Sequence, residues 1–433
     1  MGSFIAAGLI VQTLYLLIDL YFVARLGKEA VAGVAAAGSS TFITMSIAQL
    51  VGAGSLSLIS RAIGRKDKLD AQMVFEQAVS LGLSIALVFL IAGYSMGPWV
   101  LRRIASSPNT AEFARLYLFA FLPSLAAMFP GAAMGSSLRA SGIVVAPMAI
   151  QSATVLLNVV LAPIFIMGWG THHPLGVVGA GLASSVGSIS GVIIMAALFN
   201  RLQTHTRLGA PLHPNFAVWR RIAAIGLPAT GEFAMIFVTT TVTYWSIQKF
   251  GPQAQAGYGI GTRIMQAIFL PAMAVALATG PIAGQSFGAK NAQRVRDTFL
   301  QASVIGVLIM VALTLLCHVN PGFLVAPFSS DSTVIIAATQ FLKISSWNFV
   351  AVGLSLCCSG MFQALGDTRP ALISSSSRLV TYVVPAIWIS VQPWAKLQDF
   401  WYLSVASISA QAALSFLILR SQLHHKLHLF ASS

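Results

Sequence analysis

The 433-residue sequence predicts an all-α polytopic membrane protein, with twelve transmembrane helices in two six-helix bundles related by a pseudo-two-fold axis along the membrane normal. Three observations lead there. Hydrophobic residues make up 57% of the chain and charged residues only 8%, whereas about a quarter of a soluble domain is charged. The apolar residues gather into runs of roughly the 20 residues that one bilayer crossing needs. The chain also repeats itself at a constant displacement (251 − 27 = 224): Leu26-Gly27, Ala30 and Ala32-Gly33 fall on Phe250-Gly251, Ala254 and Ala256-Gly257. Gly64, Lys66, Phe75 and Gln77-Ala78 fall on Gly288, Lys290, Phe299 and Gln301-Ala302, and Ala140 and Gly142 on Ala364 and Gly366. One register held over more than a hundred positions marks a duplication.

Apolar runs place the spans of the first copy at roughly 3–25, 31–62, 76–100, 113–137, 146–169 and 176–199. Those of the second lie at roughly 221–248, 255–285, 298–319, 334–362, 370–391 and 398–419. The run 31–62 exceeds one crossing and implies tilt or a helical extension. These spans give an amino-terminal lobe over 1–200, a cytoplasmic linker over 201–220, a carboxy-terminal lobe over 221–420 and a cytoplasmic tail over 421–433. Pro228 maps to Phe4, and Arg220-Arg221 map before Met1. Either the chain begins late in its first helix or its start is a truncation.

Lys and Arg are unevenly shared between alternate loops, fifteen in one set (Arg61, Arg65, Lys66, Lys290 and Arg294 among them) and six in the other: Arg25, Lys28, Arg102, Arg103, Lys249 and Lys396. The positive-inside rule puts the richer set and both termini in the cytoplasm of a plasma membrane, a bacterial inner membrane being the expected setting. An even number of spans per copy points both copies the same way, with a central cleft between them. The net charge of +14 comes without a basic block or a stacking-aromatic array, which excludes a nucleic-acid partner. Cys317, Cys357 and Cys358 lie in apolar runs, so neither a disulfide framework nor a metal site is expected. His172-His173 and the His424, His425 and His428 group lack an acid or thiol partner and read as solvated.

Of the eleven acids, only Asp19 and Glu232 sit within spans. A carboxylate there costs several kcal/mol unless it is neutralised, paired or hydrated, so each is a functional residue by default. Gln12, Tyr15 and Asp19 follow helical spacing and share one face. Gln151, Thr154 and Asn158 do the same on the fifth span, and Ser184 and Ser188 lie on the sixth. Small polar groups of this kind also serve simply to bridge helices. Glu232 follows the Gly226-Leu227-Pro228 break, where freed carbonyls and an acid suit a cation. Asp19 maps to Thr243 and Glu232 to Gly8, so the copies have diverged chemically. Arg378, after four serines and before Pro385, is a basic residue placed to counter a carboxylate or line a path, whereas Arg115 and Arg263 read as snorkelling.

The strings around Asp19 (Asp19-Leu20-Tyr21-Phe22-Val23-Ala24-Arg25-Leu26-Gly27), Gly64, Gly179-Ala180-Gly181-Leu182-Ala183-Ser184, Gly226-Leu227-Pro228 and Gly284-Gln285-Ser286-Phe287-Gly288-Ala289 occur in order over nearly the whole chain. Together with the duplicated layout they resemble the multidrug and toxic compound extrusion (MATE) transporters. The resemblance implies a monomeric secondary antiporter rather than an enzyme. Such a protein exports cationic or amphipathic organic compounds by alternating access, in exchange for H⁺ or Na⁺ and without a further cofactor. It also implies an ion-coupling group at Asp19, Tyr15, Asn158 and Ser184, and matches Glu232 to an acid that part of the family carries; with Gln12 and Arg378, singled out above by spacing and charge, Glu232 forms the expected substrate or second cation site. Two departures favour H⁺: Ala162 stands where the family often has an aspartate, and the run 334–362 has no acid. A dehydrated Na⁺ wants several oxygen ligands, but a proton needs one acceptor.

Other classes fit less well. A flippase for a lipid-linked or large anionic precursor would want several cleft arginines, and Arg378 alone qualifies. A membrane enzyme would show clustered acids or a His/Ser nucleophile set, and a passive structural protein has no use for two intramembrane acids.

Overall fold

In the computed structural model the described residues are 22–23, 25–104, 107–170, 172–201, 213–328 and 331–431. Among them the chain is helical, and eleven of the twelve expected spans are present, a bent pair counted as one. The run 3–25 lies almost wholly outside the described residues. Helices α1 (Lys28–Gly38) and α2 (Ser40–Gly64) together form the long second span. There follow α3 (Lys68–Ile104), α4 (Pro108–Ala140), α5 (Val145–Met167) and α6 (Val177–Arg201). The second copy comprises α7 (Phe216–Ser246), α8 (Pro252–Gly288), α9 (Ala292–Val319), the short α10 (Pro321–Val325), α11 (Ser332–Ser345), α12 (Asn348–Ala364), α13 (Arg369–Arg378), α14 (Val384–Ser390) and α15 (Leu397–Ala431).

The duplication is written into the backbone. The ends of α2 and α8, the starts of α3 and α9, the starts of α4 and α11, the ends of α4 and α12, and the starts of α5 and α13 all keep the displacement of the sequence repeat (288 − 64 = 224). Left-handed residues pair the same way: Gly27 (φ 107°) with Gly251 (91°), Lys66 (62°) with Lys290 (56°), and Gly142 (84°) with Gly366 (74°). Asp67 accepts the Asp70 amide at 3.0 Å, and Asn291 accepts the Arg294 amide at 2.9 Å, the same turn in each copy. Gly33 faces Phe113 and Ala114, while Gly257 faces Ala337 and Ala338. A Cβ at either glycine would meet a backbone amide at 2.9 Å, so each copy needs glycine there to bring the same two helices together.

The chain divides into two compact units between Leu227 and Pro228. In the first, α4 is central and packs against α1, α2, α3 and α6. Its interior includes a stacked Phe75–Phe199 pair at 4.6 Å. The start of α7 belongs to this unit, where a Cβ on Gly226 would overlap the Leu50 carbonyl and one on Gly54 the Ile222 carbonyl. Asp70 fastens the same place, paired with Arg65 at 2.8 Å and Arg221 at 3.0 Å. The segment just before α7 is clipped to α3 by Gln77, which donates to the His213 carbonyl and accepts the Asn215 amide.

In the second unit α12 packs on α8, α9 and α15, with Cys358, Met361 and Phe362 in one buried cluster, while buried Tyr258, Phe341 and Trp401 join α8, α11 and α15 in another. Residues expected to form a separate tail continue α15, with Leu423 and Leu427 buried against Met361, Leu365 and their neighbours. The expected single span 334–362 is broken: α11 and α12 meet at Ser346-Trp347 with a bend of 56°. No proline causes it. The Thr314 hydroxyl takes the Ser346 carbonyl at 3.1 Å, and Trp347 and Phe349 bond three residues back instead of four. The span 370–391 contains a π-helical turn at Leu379–Val383, where Pro385 has no N–H to return to the Thr381 carbonyl.

Candidate functional site

In the first unit Asn158 is 4% exposed and Ser184 is 3% exposed. The Asn158 amide donates to the Ser184 hydroxyl at 3.1 Å, joining α5 to α6. Glycine makes this approach possible, since a Cβ at Gly187 would stand 3.2 Å from the Thr154 carbonyl and 3.7 Å from the Asn158 Cβ. The next residue of α6, Ser185, donates its hydroxyl to the Ala120 carbonyl, and one turn along Ser188 bonds Ser124 at 2.7 Å, so α6 is also tied to α4. Thr154 spends its hydroxyl on the Gln151 carbonyl at 2.8 Å, and Gln151 itself is exposed. Of that helical stripe, Asn158 is the buried member. Among the described residues its amide carbonyl and second N–H make no further hydrogen bond. Asp19, Tyr15 and Gln12 lie outside the described residues.

In the second unit Glu232 is half-buried, and its Oε1 accepts the Ser359 hydroxyl of α12 at 2.6 Å. Gly231 beside it lets Leu372 of α13 close in, at 2.8 Å from where a Cβ would stand. Glu232, Thr239 and Thr243 share one face of α7 by helical spacing. At the far end of that face the Thr243 hydroxyl meets Tyr382 Oη at 2.6 Å. Tyr258 stacks on Trp401 at 5.4 Å and meets Tyr244 edge-on at 4.8 Å. Arg378 lies on the buried face of α13, in line with Ala371 and Ser375, and its guanidinium sits 5.6 Å from the Tyr382 ring centre. Its Nε is buried without a hydrogen bond. Arg378 therefore faces an aromatic ring, and among the described residues no carboxylate pairs with it. Glu232 and Arg378, grouped in sequence, are not brought into contact.

Two partners were not singled out by sequence. Ser359 is one of many small residues in its run, and Tyr382 carries no intramembrane charge to flag it. The repeat was the available signal for Tyr382, which occupies the position of Asn158 in the second copy (382 − 158 = 224), just as Thr243 occupies that of Asp19. Arg115, read as snorkelling, is partly exposed and paired with Glu112 at 2.6 Å. Among the described residues no three His, Cys, Asp or Glu side chains gather into a metal site.

A duplicated bundle of apolar helices with buried polar pairs defines a class, the polytopic membrane transporters built from parallel repeats. The MatE family model matches residues 5–164 and 228–388, one match per copy, and the chain belongs to that family of transporters, which are not enzymes. It is 24% identical over 405 residues to the multidrug export protein MepA of Staphylococcus haemolyticus, covering 92% of this chain and 87% of that protein. A MOP superfamily transporter from Pyrococcus furiosus, described as having a binding pocket of reversed polarity, superposes with a TM-score of 0.91 at 23% identity, over 98% of this chain and 95% of the other. A multidrug resistance MATE transporter in an outward-facing conformation gives 0.91 at 24% identity, with the same coverage.

Proposed function

We propose that this chain is a secondary antiporter, acting as a monomer in a bacterial inner membrane with both termini cytoplasmic, that exports cationic or amphipathic organic compounds in exchange for H⁺. The named function of its MepA relatives supports drug-like substrates. The composition of the acid sites supports H⁺ as the coupling ion. Glu232 accepts one hydroxyl, from Ser359, and belongs to no group of three His, Cys, Asp or Glu side chains among the described residues. One acceptor with one donor suits a proton, whereas Na⁺ needs several oxygens to replace its hydration shell.

In this scheme Asp19 is the coupling acid of the amino-terminal lobe, assisted by Tyr15, Asn158 and Ser184. Support comes from the second copy, where the residues aligned with Asp19 and Asn158 are the bonded pair Thr243 and Tyr382. Ser184 holds one N–H of Asn158 and leaves the rest of the amide for a carboxyl group. Protonation from outside removes the charge, changes which hydrogen bonds the helices make, and favours the state that releases substrate. Coupling requires that proton and substrate prefer different states.

The test is efflux of a cationic dye from proteoliposomes under an imposed pH gradient or an imposed Na⁺ gradient. Dye movement driven by pH and abolished by Asp19→Asn is the expected result. Movement driven by Na⁺ alone, or undiminished in Asp19→Asn, overturns the scheme.

A further inference from the structure

We propose that a polar pocket where α9, the α11–α12 break and α15 meet binds the phosphate of an anionic phospholipid, whose occupancy holds the three elements together. The pocket has a volume of about 340 Å³ and is lined by His318 from the last turn of α9, Gln340 and Lys343 from α11, Trp347 at the break, and Gln398 and Tyr402 from the start of α15. Gln340, Lys343, Gln398 and Tyr402 have no hydrogen-bonding side-chain partner among the described residues. His318 is already engaged, its Nδ1 lying 3.0 Å from the Thr314 carbonyl and 3.2 Å from the Ser346 hydroxyl. No carboxylate lines the pocket. The nearby acids are occupied at their own helix starts, Asp331 by the Thr333 amide and Asp399 by the Lys396 amide.

An ammonium group, amide N–H groups and a phenol O–H facing one space select an anion. Three further observations make that anion a lipid headgroup. His318 stands in the last turn of α9 and Gln398 at the start of α15, two helices long and apolar enough to cross a bilayer, so the pocket lies where two crossings end. The pocket thus stands at interfacial depth. Trp347 and Tyr402 at its mouth are 63% and 59% exposed, as side chains of an interfacial aromatic belt are. Below it, Leu308, Leu315 and Val319 form an exposed apolar stripe on one face of α9, 62% exposed or more, along which acyl chains fit. A zwitterionic headgroup would bring a cation for which the pocket has no acid, so an anionic headgroup is preferred. The bound lipid would contact both sides of the break and set how freely α11 swings on α12.

Thermal unfolding of the detergent-purified full chain, with phosphatidylglycerol, phosphatidylcholine or inorganic phosphate added, tests this. Native mass spectrometry of the same samples counts retained lipid. Phosphatidylglycerol is expected to raise the melting temperature by roughly 3 °C or more over phosphatidylcholine and to remain bound. Gln340→Ala/Lys343→Ala should lose both effects, and Lys343→Arg should keep them. Equal responses to the two lipids in the unsubstituted chain, or a full response in the double variant, overturn the proposal. An equal rise with inorganic phosphate overturns it too, reassigning the pocket to a soluble anion. Should the double variant not fold, the lipid counts on the unsubstituted chain and on Lys343→Arg decide between these outcomes.

Discussion

Ser359 and Glu232 show what a single hydroxyl does beside an intramembrane acid. Ser359→Ala removes the one described donor to the carboxylate, and a half-buried acceptor left without its partner costs about 1 kcal/mol, the low end of the range for a buried one. That loss is expected in a thermal melt in detergent. Glu232→Gln retains an oxygen that Ser359 can bond, so its stability should change less than that of Ser359→Ala while dye efflux falls. Unchanged efflux in Glu232→Gln would remove this acid from the coupling scheme. Arg378 poses the opposite case, a cation held against Tyr382 with its Nε orphaned. Arg378→Met, which keeps length and apolar contact, is expected to cost little or no stability, because a buried charge without a carboxylate contributes desolvation and little Coulomb gain.

Helix packing depends on where a Cβ is absent. Gly226→Ala would drive a methyl into the Leu50 carbonyl, and backbone cannot swing aside as a long side chain can. Overpacking of this kind costs about 1–3 kcal/mol or more. Gly38→Ala, at a helical position with open space around it, should instead be neutral or stabilising by up to about 1 kcal/mol. Comparing the two melts separates close packing from helix propensity. At the start of α11, the Thr333 hydroxyl and amide hold the Asp331 carboxyl below the usual carboxylate range. A depressed folded-state value means that this cap stabilises above the ordinary carboxylate range and is lost as pH falls through the lowered value. Asp331→Asn keeps an acceptor without the charge and should flatten that acid-side loss in a pH series of melts.

Across the whole molecule, the loop-charge count makes a topological prediction that cysteine labelling checks. A cysteine at Arg102 or Lys396 should react with an impermeant maleimide in intact cells, and one at Lys66 or Lys290 only after permeabilisation. The native thiols of Cys317, Cys357 and Cys358 are buried and should stay silent. The reverse pattern would invert the orientation and with it the direction of transport.

Composition, apolar run length and the constant displacement were enough to determine a duplicated helical membrane protein, because each is a property of residues near one another or of one register counted along the chain. The same register runs through matching helix ends and matching left-handed turns at Lys66 and Lys290, which the structure revealed. Asn158 and Ser184 were legible as polar residues in apolar helices, and only the three-dimensional fold showed the bond between them. It alone decided that α11 and α12 are separate, that Glu232 meets Ser359, and that Arg378 faces a ring. Those outcomes rest on which helix lies beside which, over separations such as the 127 residues from Glu232 to Ser359. No local pattern encodes a partner at that distance.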